Sequence, residues 1–163
     1  MTPIIIDILA SGQDREAYPI EVGLVLADGT RHCHLVAPAR SWRQWDPASE
    51  KAHGLSRALL EAHGRPVGDI AWRLNALLGD RTVYCLHAGL VTAWLDRLFA
   101  AAHSERTFGV AALSGLLAPQ QQAQWDAVRR EVREALALPR RRASGNAWIV
   151  QEAWKRLNAR KAA

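Results

Sequence analysis

The sequence predicts an α/β fold, and three observations lead there. The first 37 residues read as three apolar strands, an Asp-Gly pair divides the second strand from the third, and helical periodicity then alternates with short apolar runs. The first strand covers residues 3–9: Ile4-Ile5-Ile6-Asp7-Ile8-Leu9 is an apolar run broken by one acid and closed by Ala10-Ser11-Gly12. Strands over 18–27 and 30–37 flank Asp28-Gly29, a strong hairpin-turn signal. After a loop to Trp45, Asp46-Pro47 supplies an N-cap followed by proline at the first helical position, and that short helix ends at Gly54. Ser56 caps a second helix that runs to Gly64. Over 67–78, Ile70, Leu74, Leu77 and Leu78 share one helical face, with Gly79 as the stop. Thr82 to Leu86 is a strand, and Gly89 to Ala102 a helix with Val91, Trp94, Leu95 and Leu98 turned inward. Thr107 to Ala112 completes the strands. Gln120 to Leu138 is a long helix carrying Trp125, Val128, Val132 and Leu136 inward, and Asn146 to Ala159 is the last.

At 163 residues the chain is expected to form one domain, 1–163, large enough for a substantial core. An apolar content of 49% and a charged content of 23% are ordinary for a globular protein. No run of about 18 apolar residues and no basic segment before the first apolar stretch point to a membrane span or a signal peptide. Cys33 and Cys85 have no metal-type spacing and do not make a disulfide scaffold, so a cytoplasmic setting is expected. Charge is uneven: residues 1–119 hold 11 Lys/Arg against 12 Asp/Glu, whereas residues 120–163 hold 10 against 4. That asymmetry points to a polyanion, set against the plainer explanation of a solvated helix surface.

Asp7 carries the most information. An acid on an otherwise apolar strand is costly to bury unless it is paired or metal-bound. Two-metal phosphoryl chemistry needs several carboxylates together, because two divalent cations must be neutralised. Alternation places residue 9 on the face of Asp7, and residue 9 is leucine.

Asp7-Ile8-Leu9-Ala10-Ser11-Gly12 followed by Tyr18-Pro19-Ile20-Glu21-Val22-Gly23 resembles the first motif of the DEDDh-type 3′–5′ exonucleases, relatives of proofreading exonucleases and ribonuclease T in the ribonuclease-H-like superfamily. The resemblance implies a ribonuclease-H-like fold, with a mixed central sheet and helices on both faces. It also implies two Mg²⁺ or Mn²⁺ ions as the family's cofactors. His53-Gly54-Leu55-Ser56 resembles the family's turn near the substrate 3′ end. The motif residues themselves are replaced. Asp7 is kept, but Leu9 stands at the glutamate, Leu86 (in Tyr84-Cys85-Leu86-His87) at the second aspartate, Arg141 at the general-base histidine, and Asn146 at the last aspartate.

Each replacement is chemically adverse. Leucine cannot ligate a cation, asparagine offers only a neutral carbonyl, and arginine stays protonated and cannot act as a base. The expectation is a degenerate exonuclease-like domain with no cofactor, its Asp7 a lone remnant ion-paired to Arg141. Asp14, Glu21, Asp80 and His87 are the nearest candidates for a relocated metal site, although alternation turns the His87 side chain to the opposite sheet face. His32 and His34 share a strand face but lack a third ligand. His53, Arg140, Arg141 and Arg142 are the candidate contacts for nucleic acid, and Trp42 and Trp45 lie in a loop where they could stack on bases. The expected ligand is therefore single-stranded DNA or RNA held by its 3′ end, with no membrane role. The alternatives are a pseudoenzyme acting through a protein partner or homodimer, and an active 3′–5′ exonuclease with a rebuilt metal site.

Overall fold

The structure, a computed structural model, describes residues 1–159. Residues 160–163 of the expected domain lie outside the described residues. The strands are β1 (Ile5–Ala10), β2 (Pro19–Val25), β3 (Arg31–Leu35), β4 (Thr82–Cys85) and β5 (Gly109–Ala112). The helices are α1 (Pro47–His53), α2 (Arg57–His63), α3 (Val67–Leu78), α4 (Ala88–Ala101), α5 (Pro119–Leu136) and α6 (Ala143–Ala159), with a short 3-10 turn at Leu113–Leu116. The strands form one five-stranded mixed sheet in the order β3-β2-β1-β4-β5. The first three are antiparallel, whereas β4 and β5 run parallel to β1.

The local signals behave as their chemistry requires. The Asp46 carboxylate accepts the Ala48 and Ser49 N–H groups at the start of α1, and Gly54 ends that helix in the left-handed region at φ 72°. Ser56 caps α2 through the Leu59 N–H. The sheet is covered on both faces. Ile4, just before β1, and Ile6 and Ile8 of β1 join the α3 and α4 residues Ile70, Leu74, Leu95 and Leu98 in the main core, while Ile5 and Val25 pack with Ala147 and Val150 of α6. A third cluster, including Val128, Val132, Ile149 and Leu157, binds α5 to α6. Among the described residues, no helix is long and apolar enough to cross a membrane.

Most boundaries lie within two residues of expectation, and two features depart further. The helix expected from Asn146 starts at Ala143, because the small residues that read as a loop are those that seat it. A Cβ added to Gly23 would lie 2.1 Å from the Ser144 nitrogen and 2.2 Å from the Ala143 carbonyl carbon, so α6 rests backbone to backbone on β2. The 3-10 turn after β5 was not expected, since it is too short to establish a period.

Candidate nucleic-acid cleft

β4 lies parallel to β1 with Tyr84 opposite Ile5 and stops at Cys85 while β1 runs on to Ala10, so Leu86 and His87, just past β4, line one opening with Asp7 and Leu9. The opening there is divided into two adjoining cavities of about 470 and 570 Å³, both lined by Asp7, Leu86, His87 and Arg141. The first extends toward Ser49 and His53 at α1 and Trp94 of α4. The second extends toward Arg129 and Arg133 of α5, Arg140, and Asn146 of α6. The fold thus brings together Asp7, Leu9, Leu86, His53, Arg140, Arg141 and Asn146, which are scattered along the sequence.

Gly23 lies opposite Asp7 in the β1–β2 register and lets the first turn of α6 approach. Asn146 therefore reaches the acid, and its Nδ2 donates to Asp7 Oδ2 at 2.8 Å. Burial pushes the Asp7 carboxyl up to about 6, against the opposing pull of the Asn146 hydrogen bond and the positive charge of Arg141. The expected ion pair with Arg141 does not form. Arg141 is exposed and acts on Asp7 through space, while the direct partner is the neutral amide.

Arg142 also departs from expectation. Its Nε donates to both carboxylate oxygens of the fully buried Glu21, at 2.7 and 3.0 Å, so it closes a structural ion pair between α6 and β2 and does not line the cleft. His87 departs in the other direction: the chain turns after Cys85, and His87 lines the cleft beside Leu86. His53 accepts the Leu55 N–H at Nδ1, which leaves the neutral ring's proton on Nε2. Burial lowers its pKa and favours that neutral form. Trp42 is not available to a base: it is buried in the core and stacks on Tyr18 with ring centroids 5.0 Å apart. Trp45 is half-buried, donates from Nε1 to Glu50 and meets the His53 ring edge-on, so it braces His53.

The donor set does not fit a pair of divalent cations. Among the described residues Asp7 is the one carboxylate lining either cavity, one of its oxygens already takes an N–H, and four arginines share the opening. Nor do the other acids assemble elsewhere. Asp14 accepts N–H groups of its own turn, Glu21 is held by Arg142, and no group of three His, Cys, Asp or Glu among the described residues is placed to hold a metal. His32 and His34 lie on edge strand β3 with no third ligand among the described residues. Sequence reasoning missed Arg129 and Arg133. Their spacing from Trp125 was visible, but the helix was oriented by its apolar residues alone.

No family model matches the sequence, and no curated protein matches it. The fold does have solved counterparts. The structure is similar to E. coli exonuclease I in complex with a 5cy-dT13 oligonucleotide (TM-score 0.70, 12% identity, 98% of this chain and 41% of that one). It is also similar to a product-bound exonuclease I (TM-score 0.72, 10% identity, 98% and 43%) and to the zinc-bound form of an E. coli exonuclease I–ssDNA complex (TM-score 0.66, 10% identity, 97% and 40%). This chain spans 40–43% of the length of those proteins. At such identities the likeness establishes the fold, that of exonuclease I and the ribonuclease-H-like proteins, and leaves the chemistry to the residues.

Proposed function

We propose that this chain is an exonuclease-like domain that holds the 3′ end of a single-stranded nucleic acid without cutting it and without a metal cofactor. The observation that carries this reading is the charge of the cleft: one carboxylate, itself bound by an amide, faces Arg129, Arg133, Arg140 and Arg141. Arginine binds phosphate oxygens bidentately and keeps its charge at every relevant pH. A cleft of this composition favours a polyanion and opposes divalent cations. The oligonucleotide-bound state of the exonuclease I structures supports the ligand class. The neutral His53 Nε2–H, at the far end of the cleft, is a donor suited to the terminal nucleotide.

The test uses end-labelled single-stranded DNA and RNA in chelator and in Mg²⁺ or Mn²⁺. Binding is expected in chelator, with a log–log salt slope near −0.7 per phosphate neutralised, and the labelled strand is recovered intact. Metal-dependent shortening of the strand that disappears in Asp7→Ala would favour the active-exonuclease alternative. A second reading has its own observation: Trp72 on α3 is 68% exposed, as suits contact with a protein partner. Absence of oligonucleotide binding together with a stable protein complex would favour it.

A further inference from the structure

The cleft does not end at the second cavity. A third, of about 340 Å³, adjoins it and shares Leu86, His87 and Arg129. Leu113 and Leu117 of the 3-10 turn and its exit, with Leu86 and with Trp125 of α5, give it an apolar wall, and His87, Ser114, Gln122, Asp126 and Arg129 complete the lining. Gln122 Nε2 donates to the Ser114 and Leu117 carbonyls at 3.2 and 3.1 Å, which ties the turn to α5 and pre-forms the cavity. Trp125 is only partly buried at the margin of two core clusters, so part of its ring is left for the cavity.

Trp125, Arg129 and Arg133 recur every fourth residue on α5, one above another on a single face, with steps of about 6 Å along the axis. All three line the connected cavities. Arg133 has no ion-pair partner among the described residues. Arg129 touches Asp126 at 3.2 Å, but that acid is 81% exposed, and a surface pair one turn apart is readily exchanged for a phosphate. An apolar cavity beside a tryptophan, entered past two cations in line, is the arrangement that single-strand binding requires: charge for the backbone and an aromatic face for a base.

We infer that α5 is a track for the nucleotides 5′ of the held end, with phosphates on Arg133 and Arg129 and a base stacked on Trp125. The inference rests on the proposed nucleic-acid reading and gives it a direction and a minimum length. A strand must cross the second cavity before it meets Trp125, so a dinucleotide is too short to use the track.

Fluorescence anisotropy with a dinucleotide and with a strand of about ten nucleotides, both in chelator, tests the track. Trp125→Leu is expected to weaken the longer strand about tenfold and to leave the dinucleotide unchanged. Trp125→Phe, which keeps an aromatic face and guards against a folding defect, is expected to stay within about twofold of wild type. Arg129→Gln and Arg133→Gln should each reduce the salt slope for the longer strand by about 0.7. If the wild-type chain binds the longer strand but Trp125→Leu binds it equally well, the track is wrong and the broader reading stands. If the wild-type chain binds neither strand, both fall together.

Discussion

Two acids lie almost side by side in this sheet and have met opposite fates. Glu21 on β2 is wholly buried and grips Arg142 with both oxygens, and the Cys33 thiol donates to it as well. Asp7, on neighbouring β1, keeps some access to solvent and has no counter-charge in contact, its partners being the Asn146 amide and the Ile8 backbone. The first acid is charge-matched and serves architecture, since its ion pair fastens the start of α6 to β2. The second is buried without a counter-charge in contact, and that burial pushes its carboxyl up to about 6. A buried charge with a full counter-charge is a structural bond. One compensated by a dipole remains able to respond to whatever charge enters the cleft.

Three substitutions break or sharpen this contrast, in descending order of effect. Gly23→Ala removes the seat on which both partnerships depend, because the new methyl would collide with the Ala143–Ser144 backbone. A cost above the usual overpacking range, beyond about 3 kcal/mol, is expected in chemical denaturation, with loss of oligonucleotide binding. Glu21→Gln leaves Arg142 without its counter-charge. Because that arginine side chain is 40% exposed, the cost is set at about 3 kcal/mol, the low end for a broken buried pair, and it appears as a lower urea midpoint at unchanged slope.

Asp7→Asn acts with the opposite sign. The folded carboxyl titrates at about 6 against 3.8 in the unfolded chain, so folding favours the protonated form. Wild-type stability from this group is complete below the unfolded value and is lost as pH rises through about 6. The asparagine variant should therefore match wild type near pH 4 and exceed it by about 2 kcal/mol at pH 8, a figure discounted for partial exposure. Urea unfolding at the two pH values checks this. Equal stabilities at pH 8 would mean that Asp7 is as well compensated as Glu21.

Much of the fold was legible because its signals are local. The Asp28-Gly29 hairpin, the Asp46 and Ser56 caps and the Gly54 stop each act within a few residues, and each lies where the sequence placed it. The lining of the cleft was legible in part, and its pairing was not. Leu9, Leu86, Arg141 and Asn146 do surround Asp7, yet which of them touches it depends on where α6 starts, and that depends on a glycine 120 residues earlier in the chain (Gly23 beneath Ala143). Arg142 and Arg141 are neighbours in sequence with identical chemistry. Only the packing turns one toward Glu21 and leaves the other in the cleft. Trp42 looked like a loop aromatic because its partner, Tyr18, is remote in the chain.

The contact of α6 on bare Gly23 has one more consequence. At Gly23 the start of α6 meets β2 main chain against main chain, so this contact is made by backbone and not by the side chains that project into the cleft. Arg141 and Asn146 flank this seat and line the cleft, whereas Leu9 is buried in the main core and Leu86 packs against the cluster on the α6 side of the sheet. A substitution at 141 or 146 is therefore expected to change the charge of the cleft and to leave the contact of α6 with β2 in place.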